Sequence, residues 1–204
     1  MSSQTNVETK SFSVQTIVKI SLLSAIAFLL MLFEIPLPFA PAFYKLGLDE
    51  VAVLIAALAM GPAAGIAVEV MKIVLNLIFH GTVTAFVGEL SNLLVGLSFI
   101  LPASIYYQKH KTKHGAFIGM ALGTIGIMIG GALCNYFIAL PAYEYFMNFP
   151  MQAIVGMGAE ILPLVHDKLT FILFMTVPFN LFKGLVTSGI VALIYKRISP
   201  ILHQ

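Results

Sequence analysis

Residues 49–80, DEVAVLIAALAMGPAAGIAVEVMKIVLNLIFH, decide the fold. Gly61-Pro62 interrupts an otherwise unbroken apolar stretch, and the proline removes a backbone donor where a continuing helix needs one. Before the interruption, residues 51–60 supply only about 15 Å of helix, half of a hydrocarbon core about 30 Å thick. Two architectures fit. Gly61-Pro62 either kinks one long helix, giving a chain of five spans, or marks a tight inner hairpin, giving six. The hairpin requires the preceding loop to dip into the membrane, where irregular backbone is tolerated only if it is buried in protein or lines a cavity.

Charge separates the two. With six helices and a cytoplasmic N-terminus, Lys10, Lys19, Lys109, Lys111, Lys113, Lys196 and Arg197 all lie inside. Only Lys45 and Lys168 lie outside, and Lys72 and Lys183 fall within helices. That distribution obeys the positive-inside rule. Five helices would put Arg197 and the lysines at 109–113 on opposite sides. The expectation is an all-α membrane protein: one integral membrane domain over residues 1–204, a compact bundle of six transmembrane helices with both termini cytoplasmic. The helices are placed at about 14–35, 49–61, 62–80, 85–107, 115–142 and 171–198. Between the last two, residues 143–170 read as a long outer connection.

Composition agrees. Of 204 residues, 59% are hydrophobic and 10% charged, against roughly 25% charged in a soluble domain. A net charge of +2 without a basic stripe excludes nucleic acid as a partner. The first apolar run is a retained helix and not a cleaved signal, because its one A-x-A pattern, Ala25-Ile26-Ala27, lies mid-run. The single cysteine, Cys134, is read as a small packing residue. Gly115, Gly119, Gly123, Gly126 and Gly130 form small-xxx-small ridges that let helices approach closely.

Polar groups converge at one depth. Counting 1.5 Å per residue from the cytoplasmic ends, Asn135 falls at the outer end of helix five and Asn180 and Lys183 in the outer part of helix six. The last two share a face at i, i+3, just after Pro178. A lysine inside a membrane helix is costly, so it faces a cavity or partner, or snorkels to the interface. Elsewhere, Glu69 and Lys72 are expected to pair with each other, Asn76 and Asn92 to bond between helices or, as the lesser alternative, to line the site, and Glu89 to border the outer cavity. Asp49 and Glu50 suit a helix N-terminus, where the dipole favours acids. His80 and His166 have no neighbours at metal-ligand spacing, so no metal site is expected. G-x-x-x-x-G-K-[ST], H-E-x-x-H and G-x-S-x-G are all absent. An enzyme built on Glu144, Glu160, His166 and Asp167 in the outer connection is the alternative from another class.

Four segments carry a resemblance: residues 33–39 (FEIPLPF), 61–65 (GPAAG), 135–141 (NYFIALP) and 178–184 (PFNLFKG). With these, nearly the whole chain resembles the substrate-binding (S) components of energy-coupling factor (ECF) vitamin importers, of the riboflavin-binding type. The resemblance implies a six-helix fold in the cell membrane whose first loop caps a pocket near the outer face. It also implies a transmembrane coupling subunit, two cytoplasmic ATPases that drive delivery, no enzyme activity and no cofactor, riboflavin being cargo. Matched residue by residue, the flavin's polar edge meets Asn135, Asn180 and Lys183, with Lys45 and Leu46 of loop one over the ligand. That edge alternates carbonyl acceptors with an N–H donor; an amide complements both, and an ammonium donates only. The family's small-residue coupling pattern on helix one falls on Ser21 and Ala25, with internal helix packing as the competing use. The same fold could instead take another vitamin, or FMN or FAD, whose phosphates need a cationic mouth from Lys45, Lys168 and His166.

Overall fold

In the computed structural model, which describes residues 13–202, Lys72 Nζ lies 2.6 Å from Asp49 Oδ2. A continuous helix would hold these residues about 35 Å apart along its axis. The chain therefore doubles back between α2 (Asp49–Met60) and α3 (Pro62–His80). The turn is Gly61 at φ +97°, a conformation glycine adopts without strain, and Pro62 starts α3 at a position whose N–H would go unused. Beyond the turn, Gly65 packs on Ala57: a Cβ added at Gly65 would lie 3.0 Å from the Ala57 Cα.

The first helix, α1 (Val14–Met31), starts at Ser13, whose Oγ accepts from the Thr16 backbone N–H. Loop one follows and carries a minimal antiparallel pair, β1 (Ile35–Pro36) with β2 (Lys45–Leu46). The first helix is thus shorter than the 14–35 expected, because Pro36, Pro38 and Pro41 force extended backbone. After α3 come α4 (Val87–Lys109) and α5 (Lys113–Cys134), which continues through a π-helical turn, Asn135–Ala139, into α6 (Leu140–Met147). The last helix is built the same way: α8 (Lys168–Phe171), a π turn at Ile172–Thr176, then α9 (Val177–Leu202). Lys10 lies outside the described residues, as do the side chains of Lys196 and Arg197.

The outer connection 143–170 is itself partly helical: it contains the end of α6 and an additional helix, α7 (Met151–Ile161), preceded by Pro150 as N-cap. Eleven residues give about 16 Å, too short to register as a span.

Five helical segments are long and apolar enough to cross a membrane: Val14–Met31, Pro62–His80, Val87–Lys109, Lys113–Met147 and Lys168–Ile194. Short α2 sits among α1, α3, α4 and α9, and every residue from Asp49 to Ala59 is buried. The glycine ridge of α5 does what small residues do at helix crossings. A Cβ at Gly119 or Gly123 would stand 2.7 Å from the carbonyl oxygen of Ala103 or Phe99 on α4. Large apolar side chains such as Leu22, Ile129, Phe137 and Leu193 remain exposed around the outside, the pattern of a surface solvated by lipid.

Candidate functional site

Loop one, α4, the α5 π turn and α9 enclose a cavity of about 430 Å³ that brings Asn135, Asn180 and Lys183 together with Lys45. The two amides are held by a shared device. Asn135 Nδ2 donates to the Gly131 carbonyl at 2.8 Å, and Asn180 Nδ2 donates to the Thr176 carbonyl at 3.0 Å. A side chain at Gly131 would collide with the Asn180 amide, so that glycine lets the last helix approach the amide-bearing turn. Each amide keeps an N–H, and among the described residues no donor meets Asn180 Oδ1.

Lys183 is 9% exposed, and its ammonium lies 3.6 Å from Glu50 Oε1. It does not snorkel. Lys45 is half-exposed at the mouth, 3.6 Å from Glu34. Leu46 is buried, pairs with Ile35 in the strand ladder, and is not among the residues lining the cavity. Asn76, Asn92 and Glu89 also line the wall, Glu89 accepting from Thr84 Oγ1 at 2.8 Å. The two asparagines therefore sit at the cavity, the lesser of the two alternatives read from the sequence.

Sequence reasoning missed Tyr44 and Thr176. The Tyr44 hydroxyl donates to Asn135 Oδ1 at 2.9 Å and lies 2.8 Å from Thr176 Oγ1. Its ring stacks on Phe179 at 4.9 Å. One loop residue thus ties together the helices that carry Asn135 and Asn180.

Also missed was the extent of the charge cluster beneath the cavity. Glu69 and Lys72 pair at 2.8 Å as expected, but not in isolation. Asp49 and Glu50, expected at an ordinary helix N-terminus, are buried in the first turn of α2, 2.6 and 3.3 Å from the Lys72 ammonium. The signal was present in the sequence: a hairpin pivoting on Gly61 sets position 50 opposite position 72.

The outer acidic and histidine residues do not assemble a reaction centre. Glu144 accepts from the Met151 N–H near the start of α7, and Asp167 caps α8 through Thr170. Thr170's hydrogen bonds hold the Asp167 carboxyl below the usual aspartate range. Glu160 is exposed, and His166 reaches only the Leu164 carbonyl and, at 3.9 Å, Asp167. Lys168 lies over the Tyr136 ring, 4.2 Å from its centroid.

The family model for the ECF transporter, substrate-specific component, matches residues 15–195. The chain belongs to that family. The ECF substrate-specific component fold is present in the solved structure of the S component of a bacterial ECF transporter. That structure is 32% identical with a TM-score of 0.71, covering 93% of this chain and 98% of the other. Among sequence relatives, the riboflavin transporter FmnP of Bacillus subtilis strain 168 is 33% identical over 94% of this chain and 95% of its own. The riboflavin transporter RibU of Staphylococcus aureus strain TCH60 is 33% identical over 92% of each chain. RibU of Streptococcus thermophilus is 31% identical, over 90% of this chain and 82% of its own. These relatives are transporters; the enzyme alternative falls with them.

Proposed function

We propose that this chain is the riboflavin-binding S component of an ECF importer in the cell membrane. It would work with a transmembrane coupling subunit and two cytoplasmic ATPases. The observation that carries the reading is the convergence of Asn135, Asn180 and Lys183 in one cavity. Two amides and an ammonium complement a ligand edge of carbonyls flanking an N–H, and relatives bearing riboflavin in their names match more than nine-tenths of the chain.

The lining favours the uncharged vitamin over FMN or FAD. Its charged residues are the acids Glu34, Asp49 and Glu89 and the lysines Lys45 and Lys183. Lys45 already faces Glu34, while Lys168 and His166 lie elsewhere. A phosphate entering this mouth would meet a net negative wall. In the bilayer, α2 and the loop-one backbone around Tyr44 together make a sixth crossing. Both termini are then cytoplasmic, with the lysines at 109–113 on the same side. Ser21 and Ala25 are both exposed on α1, which fits a docking face for the coupling subunit better than internal packing.

The test is riboflavin fluorescence quenching by the detergent-purified protein. Saturable quenching is expected, weakened strongly by Asn135→Ala and by Asn180→Ala, with FMN binding more weakly than riboflavin. Unchanged affinity in both variants would remove the site assignment; no quenching by the wild-type protein would remove the ligand.

A further inference from the structure

Lys183 meets a second helix from below. Glu50 Oε1 lies 3.6 Å from the Lys183 ammonium and 3.3 Å from that of Lys72, so one buried carboxylate oxygen is shared by lysines from two helices. Lys72 has two further carboxylates, Asp49 at 2.6 Å and Glu69 at 2.8 Å. Lys183 has Glu50 alone among the described residues. Asp49, Glu50, Glu69 and Lys72 are buried at 4% side-chain exposure or less. Of the other helices packed on α2, α4 contributes Gly96, where a Cβ would press on both Glu50 Oε1 and Glu69 Oε1. Glu50 Oε2 is buried and takes no hydrogen bond among the described residues, so Oε1 alone serves the two ammonium groups.

We propose that Glu50 is a positioning residue for the ligand. It anchors the Lys183 ammonium at the cavity floor and, through Lys72, ties the ligand site to the α2–α3 hairpin. The inference rests on Lys183 being a ligand donor. A lysine stem has four rotatable bonds, and its ammonium can turn toward any acceptor or toward water. Ion pairing with Glu50 at 3.6 Å narrows where that ammonium can sit, and so the directions from which its N–H groups reach the cavity. The same geometry gives Lys183 a second duty. Three carboxylates are matched by two ammonium groups, and deleting Lys183 leaves three facing one, so Lys183→Ala alone confounds lost contact with lost fold.

The experiment is a double-mutant cycle of Glu50→Gln and Lys183→Met, with Glu50→Asp as the conservative variant. Riboflavin affinity and thermal unfolding in detergent are both read. Glu50→Gln should raise the Kd about tenfold or more with little change in Tm, and Glu50→Asp should recover part of that affinity. Lys183→Met should lower both affinity and Tm; adding Glu50→Gln should restore Tm without further change in residual binding. Wild-type affinity in Glu50→Gln, or an equal loss on adding it to Lys183→Met, would overturn the positioning role. Should the wild-type protein not bind riboflavin at all, the ligand reading fails separately. The Tm arm then stands alone, and a double variant no more stable than Lys183→Met overturns the pairing itself.

Discussion

Helices α1 and α2 are both strongly apolar, yet the structure uses them in opposite ways. In α1 only Ile20, Leu23, Ser24 and Ala27 are buried, while Leu22, Ile26 and Leu29 face outward. In α2 every residue through Ala59 is buried, including two carboxylates. Inside a bilayer, lipid is as apolar as leucine, so hydrophobicity does not say which face of a helix is covered. What separates the two is the residues that lipid cannot accommodate. Asp49 and Glu50 need cations, found on α3 and α9, and those ion pairs draw α2 into the middle of the bundle. Serine and alanine on α1 carry no such demand.

The comparison predicts an ordered set of effects. The largest belongs to Lys72→Met, which leaves three buried carboxylates with only Lys183 near one of them. Removing one partner of a buried pair costs about 3–5 kcal/mol, so little monodisperse protein should survive size-exclusion chromatography. Full recovery at the wild-type Tm would mean that α2 does not depend on its charges. Next is Gly65→Leu, which drives a side chain against Ala57 at the hairpin and should cost about 1–3 kcal/mol by overpacking, read as a lowered Tm. On α1, Ala25→Leu adds bulk to an exposed site. The isolated protein should melt within error of wild type, while co-purification with the coupling subunit is lost. Loss of stability instead would place Ala25 in internal packing. Leu22→Ala should be the quietest, within about 0.5 kcal/mol in detergent as at other exposed positions.

The hairpin and the polar triad were legible because each depends on local punctuation and a count along a helix. Gly61-Pro62 marks the turn, and Asn135, Asn180 and Lys183 come to one depth by arithmetic alone. Helix α7 was hidden because its eleven residues, Met151–Ile161, are too few to cross a membrane and lie between Pro150 and Pro163. Tyr44 was hidden for a different reason. Its partners lie 91 and 132 residues away, and no periodicity within loop one points to either. Asp49 and Glu50 do open a helix as expected, but that role already explained them and hid their ion pairs, which only the hairpin pairing of positions 50 and 72 reveals.

The π turns at Asn135–Ala139 and Ile172–Thr176 face each other beside the cavity. Each spends one more residue per turn than an α-helix would, and so resets the angular phase of everything beyond it. A helical wheel drawn through Phe171 and Asn180 as one regular helix therefore misjudges their relative direction. For the same reason these turns are where the chain can shorten by one residue at least backbone cost. Deleting Leu173 lets the turn relax to α-helix while Phe171 and the cap at Asp167 keep nearly their present direction relative to Asn180 and Lys183. In protein engineering, the same single-codon deletion is therefore two different perturbations: at such a turn the helix absorbs it, and in the regular helix beyond it re-aims a whole helix end by about 100°.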